Sequence, residues 1–271
     1  MAESDGGVTA GREEGALDPA RASTTERVAH VLLALGTGGR RLGVSELSRE
    51  LGLSKAVVHR ILQTLVTCGL VAFDASARRY RLGPAAVALG RAAERDSELR
   101  EAAMPVIAHL AAVTGETTTL SARVGHRRFY VGQVESSQPI RITITIGEHL
   151  GLAVGASGHA ILAHLGERDV DLVLSEPVPS VTSRTMVDPV LIRERLALIR
   201  ERGWAESEGE RVRESSSISA PVFDVSGDVV GALSIAFLAS RLDTTRKDAF
   251  AELVRAASRE ASESLGRLQA R

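Results

Sequence analysis

The residues of this chain with the clearest chemical potential gather between positions 44 and 82, which read VSELSRELGLSKAVVHRILQTLVTCGLVAFDASARRYRLG. Ser54, Lys55, Ala56, His59, Arg60 and Gln63 fall in the first turns of a helical repeat that follows a glycine turn. Lys55 and Arg60 are long donors suited to guanine edges or phosphate oxygens. Ser54 can bond a phosphate through its hydroxyl or through the amides of a helix N-terminus. His59 and Gln63 are further candidates for base or backbone contact. Arg78 and Arg79 sit at the tip of a following ribbon. On a lone helix these residues would serve equally as a solvated face. With the ribbon and its arginines alongside, they point to contact with double-stranded DNA.

The rest of the chain offers no catalytic constellation. Gly155-Ala156-Ser157-Gly158-His159 approaches a nucleophile elbow but fails it, because that motif needs glycine two residues after the serine and His159 stands there. His126, His149, His159 and His164 are scattered. His159 and His164 are five apart and do not share a helix face, so a metal site would require side chains to converge in space. No metal or cofactor is expected. The single cysteine, Cys68, sits in an apolar pattern and reads as a small buried hydrophobe.

The elements that must position the basic residues follow from periodicity. A helix is predicted over 24–36, with Thr24 or Thr25 as cap, an apolar face of Val28, Val31, Leu32 and Leu35, and Gly36, Gly38 and Gly39 to end it. A second helix runs 44–51 with Ser45 as cap and Leu47 and Leu51 inward. Gly52 turns the chain. A third helix, 55–67, is capped by Ser54, with Val57, Ile61, Leu62 and Leu65 inward. A strand over 70–73, a tip at 74–77 and a return over 79–82 complete a winged helix-turn-helix, a unit that lays one helix in the major groove.

Charge supports that placement. The 271 residues carry 33 basic and 34 acidic side chains, net −1. Residues 21–95 hold twelve of the basic and five of the acidic ones, a local +7 that leaves −8 for the remainder. A basic module on an acidic body confines nucleic-acid contact to one end. The composition, 44% hydrophobic and 25% charged, is that of a soluble globular protein. No apolar run approaches the roughly 18–20 residues needed to span a bilayer, and the acidic N-terminus is unlike a signal peptide. A cytoplasmic location is expected.

Four segments are predicted: a disordered tail over 1–20, the DNA-binding domain over 21–83, a linker helix over 84–96 and a C-terminal domain over 97–271. Pro84 opens the Ala-rich linker, whose Val87, Ala88 and Leu89, with small Ala92 and Ala93, read as a contact between subunits. A helix over 97–113 contains Pro105, so a kink or break is expected near Ala103. Strands are predicted at 117–124, 127–135 and 141–146, the last (RITITI) alternating strictly. Helices are expected at 157–165, 168–174 and 188–202. Strands return at 204–207, 216–224 and 229–237, with a hairpin turn at 226–228, before a helix over 244–268. This mixture argues for an α+β domain. Amides at the start of the helix near Ala156 and Ser157 are a candidate carboxylate site. Arg123 and Arg141 would pair an anion if they faced inward. Ser215 and Ser216 read as loop cover, and Trp204 as core.

Several runs together resemble the IclR family of transcriptional regulators. They are L-S-K-A-V-V-H-R-I-L-Q-T-L at the third helix, R-Y-R-L-G-P leaving the wing, T-G-E-T at 114–117, A-S-G-H-A-I-L-A at 156–163 and S-I-S-A-P-V-F-D at 217–224. They stand in the family's order from about residue 24 to 268. The resemblance implies a GAF-like effector-binding domain, a homodimer or homotetramer, and DNA affinity set by a small metabolite, a carboxylic or aromatic acid. Repression is the commoner mode it implies. Carried over residue by residue, it assigns Leu150, Leu152, Ala156, Ser157, Ser207, Ser217 and Ser234 to the effector. Ala56 departs from the hydroxyl residue often found there, Ser217 stands where some relatives have cysteine, and Ala236 where some have serine. The alternatives are an enzyme with a GAF-like catalytic domain and a protein-interaction adaptor.

Overall fold

The computed structural model describes residues 22–36, 40–95, 97–241 and 244–270. The expected N-terminal tail, and Gly38 and Gly39 at the end of the first helix, lie outside the described residues.

Three helices and a hairpin form the N-terminal unit: α1 (Thr24–Gly36), α2 (Val44–Leu51), α3 (Lys55–Thr67), β1 (Val71–Asp74) and β2 (Arg79–Leu82). The two strands pair antiparallel, with Phe73 opposite Tyr80. Val31, Leu35, Leu47, Val58, Ile61, Leu62, Leu65, Val71 and Tyr80 close one core. The helical period thus buries most of the expected stripe, with a one-residue offset on α3: Val58 is fully buried and Val57 only half-buried. The N-cap of α2 is Gly43 rather than Ser45. The Glu46 carboxylate turns back to accept the Gly43 N–H at 2.7 Å, which satisfies the donor that a Ser45 cap would have left. Cys68 is exposed at the C-cap of α3, so the expectation of burial is corrected. Only α3's apolar face meets the core, and position 68 falls off it.

After α4 (Pro84–Arg95), the second unit opens with α5 (Glu98–Thr114), continuous through Pro105 rather than broken near Ala103. Pro105 is the eighth of the seventeen residues of α5, and its missing N–H removes the interior hydrogen bond to the Glu101 carbonyl without ending the helix. A six-stranded sheet follows, built from β3 (Thr117–Val124), β4 (Arg127–Val134), β5 (His149–Gly151), β6 (Ala205–Glu208), β7 (Ser215–Phe223) and β8 (Val229–Leu238). Its order is β5-β4-β3-β8-β7-β6, and the pairs are antiparallel. The helices α6 (Ala156–Leu162), α7 (Glu167–Ser175), α8 (Pro189–Arg202) and α9 (Thr244–Gln269) complete the domain.

Strand alternation decides what each face of this sheet carries. Leu120, Ile218, Ala220, Leu233, Ile235 and Phe237 pack under α5 and α9 in one core. Ser216, on that same side, is 3% exposed within β7 and not loop cover. The opposite face looks toward α6 and α8 and is far more polar: it carries Thr117, Thr119, Ser121, Ser219 and Ser234. A separate core of Leu152, Ile161, Leu162, Val170, Ile192, Leu196 and Ile199 holds α6, α7 and α8 together.

Residues 141–146 form no strand. Ile142 and Ile144 do alternate inward, half-buried. Their hydrogen bonds go to side chains instead of a ladder: Thr117 Oγ1 donates to the Ile142 carbonyl (2.6 Å), and the Ile144 N–H donates to Gln133 Oε1 (2.7 Å).

Candidate functional site

The helix-turn-helix presents the face the sequence predicts. Ser54, Lys55, Ala56, His59, Arg60 and Gln63 are all exposed along α3, while Val58, Ile61, Leu62 and Leu65 anchor its other side. Ser54 is the N-cap, its hydroxyl accepting the Val57 N–H at 3.4 Å. That bond fixes where the helix begins and therefore which residues lead it.

The wing separates its two arginines. Asp74 Oδ1 accepts from the Ser76 and Ala77 N–H groups at 3.0 and 3.1 Å and closes the tip. The Ser76 hydroxyl and these amides hold the Asp74 carboxyl below its ordinary pKa. Arg78 follows in the left-handed region, φ 53°, with its side chain exposed. Arg79 points back into the protein. It donates to both carboxylate oxygens of Glu46, at 3.0 and 3.1 Å, and to the Arg41 carbonyl at 2.6 Å. The Gly43 N–H and then Arg79 hold the Glu46 carboxyl below its ordinary range. The structure thus makes Arg79 a brace between wing and α2. The pairing links residues 33 positions apart, which no local pattern announces.

The C-terminal candidates do not all meet. Leu150 and Leu152 line a cavity of about 120 Å³ with Leu150's neighbours in β5, Val154, Val173, the 176–179 segment, Arg127 and Arg211. Ala156 and Ser157 open α6, buried. Ser207 and Ser217 are cross-strand partners, and the Ser234 hydroxyl is 2.7 Å from that of Ser219. Arg123 and Arg141 are not in the cavity wall; Arg141 is exposed and pairs with Glu135. Trp204 packs at the edge of the sheet core beneath the Arg202 guanidinium, 3.8 Å from the ring centre.

The place expected for a ligand carboxylate, beside Ala156, is held by the chain's own Glu210. Its carboxylate accepts the Gly155 N–H at 3.0 Å and pairs with Arg195, with Glu210 only 3% exposed. Gly158 has no room for a side chain, since a Cβ there would lie 2.6 Å from the Leu152 carbonyl. This close approach explains the glycine at 158, one residue before the position where a nucleophile elbow would need one.

Two residues that sequence reasoning passed over, Arg128 and Tyr130, occupy the polar face near Gly155 with His159, which the sequence offered only as a scattered histidine. Strict alternation in β4 places Arg128 and Tyr130 on one side, a signal that was available. The Arg128 guanidinium stands 5.0 Å from the Tyr130 ring centre and that of Arg211 5.7 Å. Burial pushes the Tyr130 phenol up, but the charges of Arg128 and Arg211 outweigh it and hold the phenol below its ordinary pKa. His159 is fully buried and its Nε2 donates to the Ala153 carbonyl at 2.8 Å. Burial lowers its pKa, aided by Arg195 and Arg128 and opposed by Glu210.

A pH effect follows. The folded imidazole protonates less readily than the free one, whose value is 6.5. Below that pH the unfolded chain takes up a proton that the folded chain refuses, so stability falls with falling pH, by about 1.4 kcal/mol per unit at most for one group. His164 is shifted the same way by burial. Melting at about pH 5.5 and 7.5 should show this loss, reduced in His159→Gln. An equal loss in the variant would assign the effect elsewhere.

Among the described residues no group of three or more His, Cys, Asp or Glu is placed to hold a metal ion, and no helix is long and apolar enough to cross a membrane.

Comparison with known proteins gives the same account as the geometry. Residues 24–75 match the IclR helix-turn-helix domain, and residues 92–263 match the bacterial transcriptional regulator IclR C-terminal domain. The chain is 32% identical over 232 residues to the HTH-type transcriptional regulator BhcR of Paracoccus denitrificans, covering 85% of this chain and 82% of that one. It is 29% identical over 247 residues to the HTH-type transcriptional repressor AllR of Escherichia coli, covering 90% and 91%. The crystal structure of a putative IclR regulator from Silicibacter sp. superposes with a TM-score of 0.80 at 32% identity, over 90% of this chain and 96% of that one. With a winged helix-turn-helix, an α+β domain whose sheet has one polar face, and matches across both, the chain belongs to the IclR family of bacterial transcriptional regulators and is not an enzyme.

Proposed function

We propose that this regulator represses its target genes by occupying an operator as a dimer, and that a small carboxylic or aromatic acid bound in the C-terminal domain changes its DNA affinity. The observation that carries the DNA reading is the exposed row Lys55, His59, Arg60 and Gln63 on a helix anchored by buried Val58 and Leu62. Repression is supported by the likeness to AllR, named a repressor. The functional segments are 21–83 for DNA, 84–96 as linker and 97–271 for the effector. The work takes place in the cytoplasm, where the chromosome is.

Ser54, Lys55, Ala56, His59, Arg60 and Gln63 face the groove in this reading, and Arg78 alone of the wing pair reaches phosphate. A gel shift on the DNA upstream of the chain's own gene, repeated across salt, tests it. Each phosphate contact removed should flatten the plot of log affinity against log salt by about 0.9. Arg78→Ala is expected to do so. Arg79→Ala should instead lower affinity by loosening the wing, with a smaller change of slope. No shift at any salt concentration would overturn the DNA reading.

The dimer contact is α4. Val87 and Leu89 are 57% and 62% exposed there, on a helix with no buried residue among its described side chains. Apolar side chains left in water on one helix suit a second copy of the chain. Val87→Asp with Leu89→Asp should shift sizing chromatography to the monomer and weaken DNA binding, because two half-sites are then read separately. An unchanged elution volume would place the interface elsewhere.

A further inference from the structure

Arg128 is 1% exposed and among the largest fully buried side chains. Its Nε has no hydrogen-bond partner, and its Nη1 donates to the Ser121 hydroxyl only at 3.4 Å. The groups that approach the guanidinium are neutral: Ser121, the Tyr130 ring and the bare Cα of Gly155, where a Cβ would lie 3.6 Å from Nη2. No carboxylate among the described residues is within ion-pair distance. The neighbouring charges are already matched, Arg211 with Glu148 at 2.8 Å and Arg195 with Glu210. Three cations therefore face two anions, and the excess charge is Arg128's. His159 does not alter the balance. Its Nε2 holds the proton given to Ala153, which leaves an unprotonated, unpartnered Nδ1.

A buried charge without a counter-ion is among the costliest features a fold can carry. We infer that Arg128 anchors a small monocarboxylate, whose oxygen takes the Nε–H and supplies the missing negative charge. The assignment rests on reading the C-terminal domain as the effector domain. A neighbouring cavity bounds the size of the ligand's body. Arg211 hydrogen-bonds the Tyr130 hydroxyl at 2.9 Å and forms part of the wall of the 120 Å³ cavity lined by Leu150, Leu152, Val154 and Val173; Arg128 does not itself line that cavity but stands behind it, against the same Tyr130 ring. A cavity of about 150 Å³ accepts benzene, so the acid is a short chain or one ring. The carboxylate displaces no hydrogen bond of Nε. The Ser121 and Tyr130 hydroxyls remain to bond its second oxygen, a charge-assisted arrangement stronger than a neutral one.

The test uses the full chain, with sodium benzoate, acetate and pyruvate as probes. Benzamide and acetamide serve as neutral partners, and sodium chloride matches ionic strength. At least one acid is expected to raise the melting temperature, while its amide and chloride do not. Arg128→Met should weaken that binding tenfold or more, and the ligand-free variant should melt at or above the parent, since an uncompensated charge has been removed. Arg128→Lys should retain part of the affinity. If Arg128→Met binds the acid as the parent does, or melts several degrees lower without ligand, the anchor is overturned. Equal binding of acid and amide, or no response to any acid, overturns the monocarboxylate. A gel shift in the same samples keeps the two readings apart: an acid that needs Arg128 yet leaves DNA affinity unchanged upholds the anchor and refutes its regulatory role.

Discussion

The Glu210→Ala protein is expected to lose about 3–5 kcal/mol of stability in its C-terminal domain, the range for breaking a buried ion pair from one side. Glu210 is 3% exposed, and its carboxylate serves both the Gly155 N–H and Arg195. Alanine would strand an amide and a guanidinium together. Against a total of about 5–15 kcal/mol for a typical domain, this is a large fraction. Glu210→Gln should fall between parent and alanine variant. Its amide oxygen can still accept from Gly155, but its charge no longer meets Arg195. Urea unfolding followed by circular dichroism checks this. A midpoint for Glu210→Ala within a few tenths of molar of the parent would mean that Arg195 finds another partner.

Lys55→Ala with Arg60→Ala is expected to abolish useful operator affinity while leaving the fold intact. Each side chain, if bonded to a base edge, contributes about 1–3 kcal/mol of discrimination, roughly five- to 150-fold in affinity. Both are exposed, so melting should move little; surface substitutions usually stay within about 0.5 kcal/mol. Val58→Ala is the contrasting control. It lies one residue from His59 but is fully buried, so it should weaken DNA binding only by destabilising the domain. Fluorescence anisotropy on a labelled operator, beside a thermal melt, separates the two. Unchanged binding by the double variant would remove α3 from the groove.

The helices and most strands were legible because a single face of each is buried, and burial writes its period into the sequence. The exceptions have particular causes. Val57 and Val58 are both apolar and adjacent, so the pattern alone did not decide which faced inward. Residues 141–146 alternate like a strand, yet Gln133 and Thr117 take their backbone bonds. Gly43 could not be recognised as a cap from its own side chain, because the capping atom belongs to Glu46. The effector side was less legible still. Arg128 looked like one of two ordinary arginines at the start of β4. Only the fold, which sets β4 beside β3 and brings Gly155 against the guanidinium, shows that one of the pair is buried with no carboxylate beside it.

The Glu46 carboxylate accepts the Gly43 amide at the N-cap of α2 through Oε2 and the guanidinium of Arg79 through both oxygens. Hairpin and helix-turn-helix are therefore set to one another before any DNA arrives. Ordering a flexible wing at the moment of contact would subtract from affinity. Here that ordering belongs to folding, so the meeting with an operator resembles two rigid shapes docking, with its speed governed by diffusion and charge.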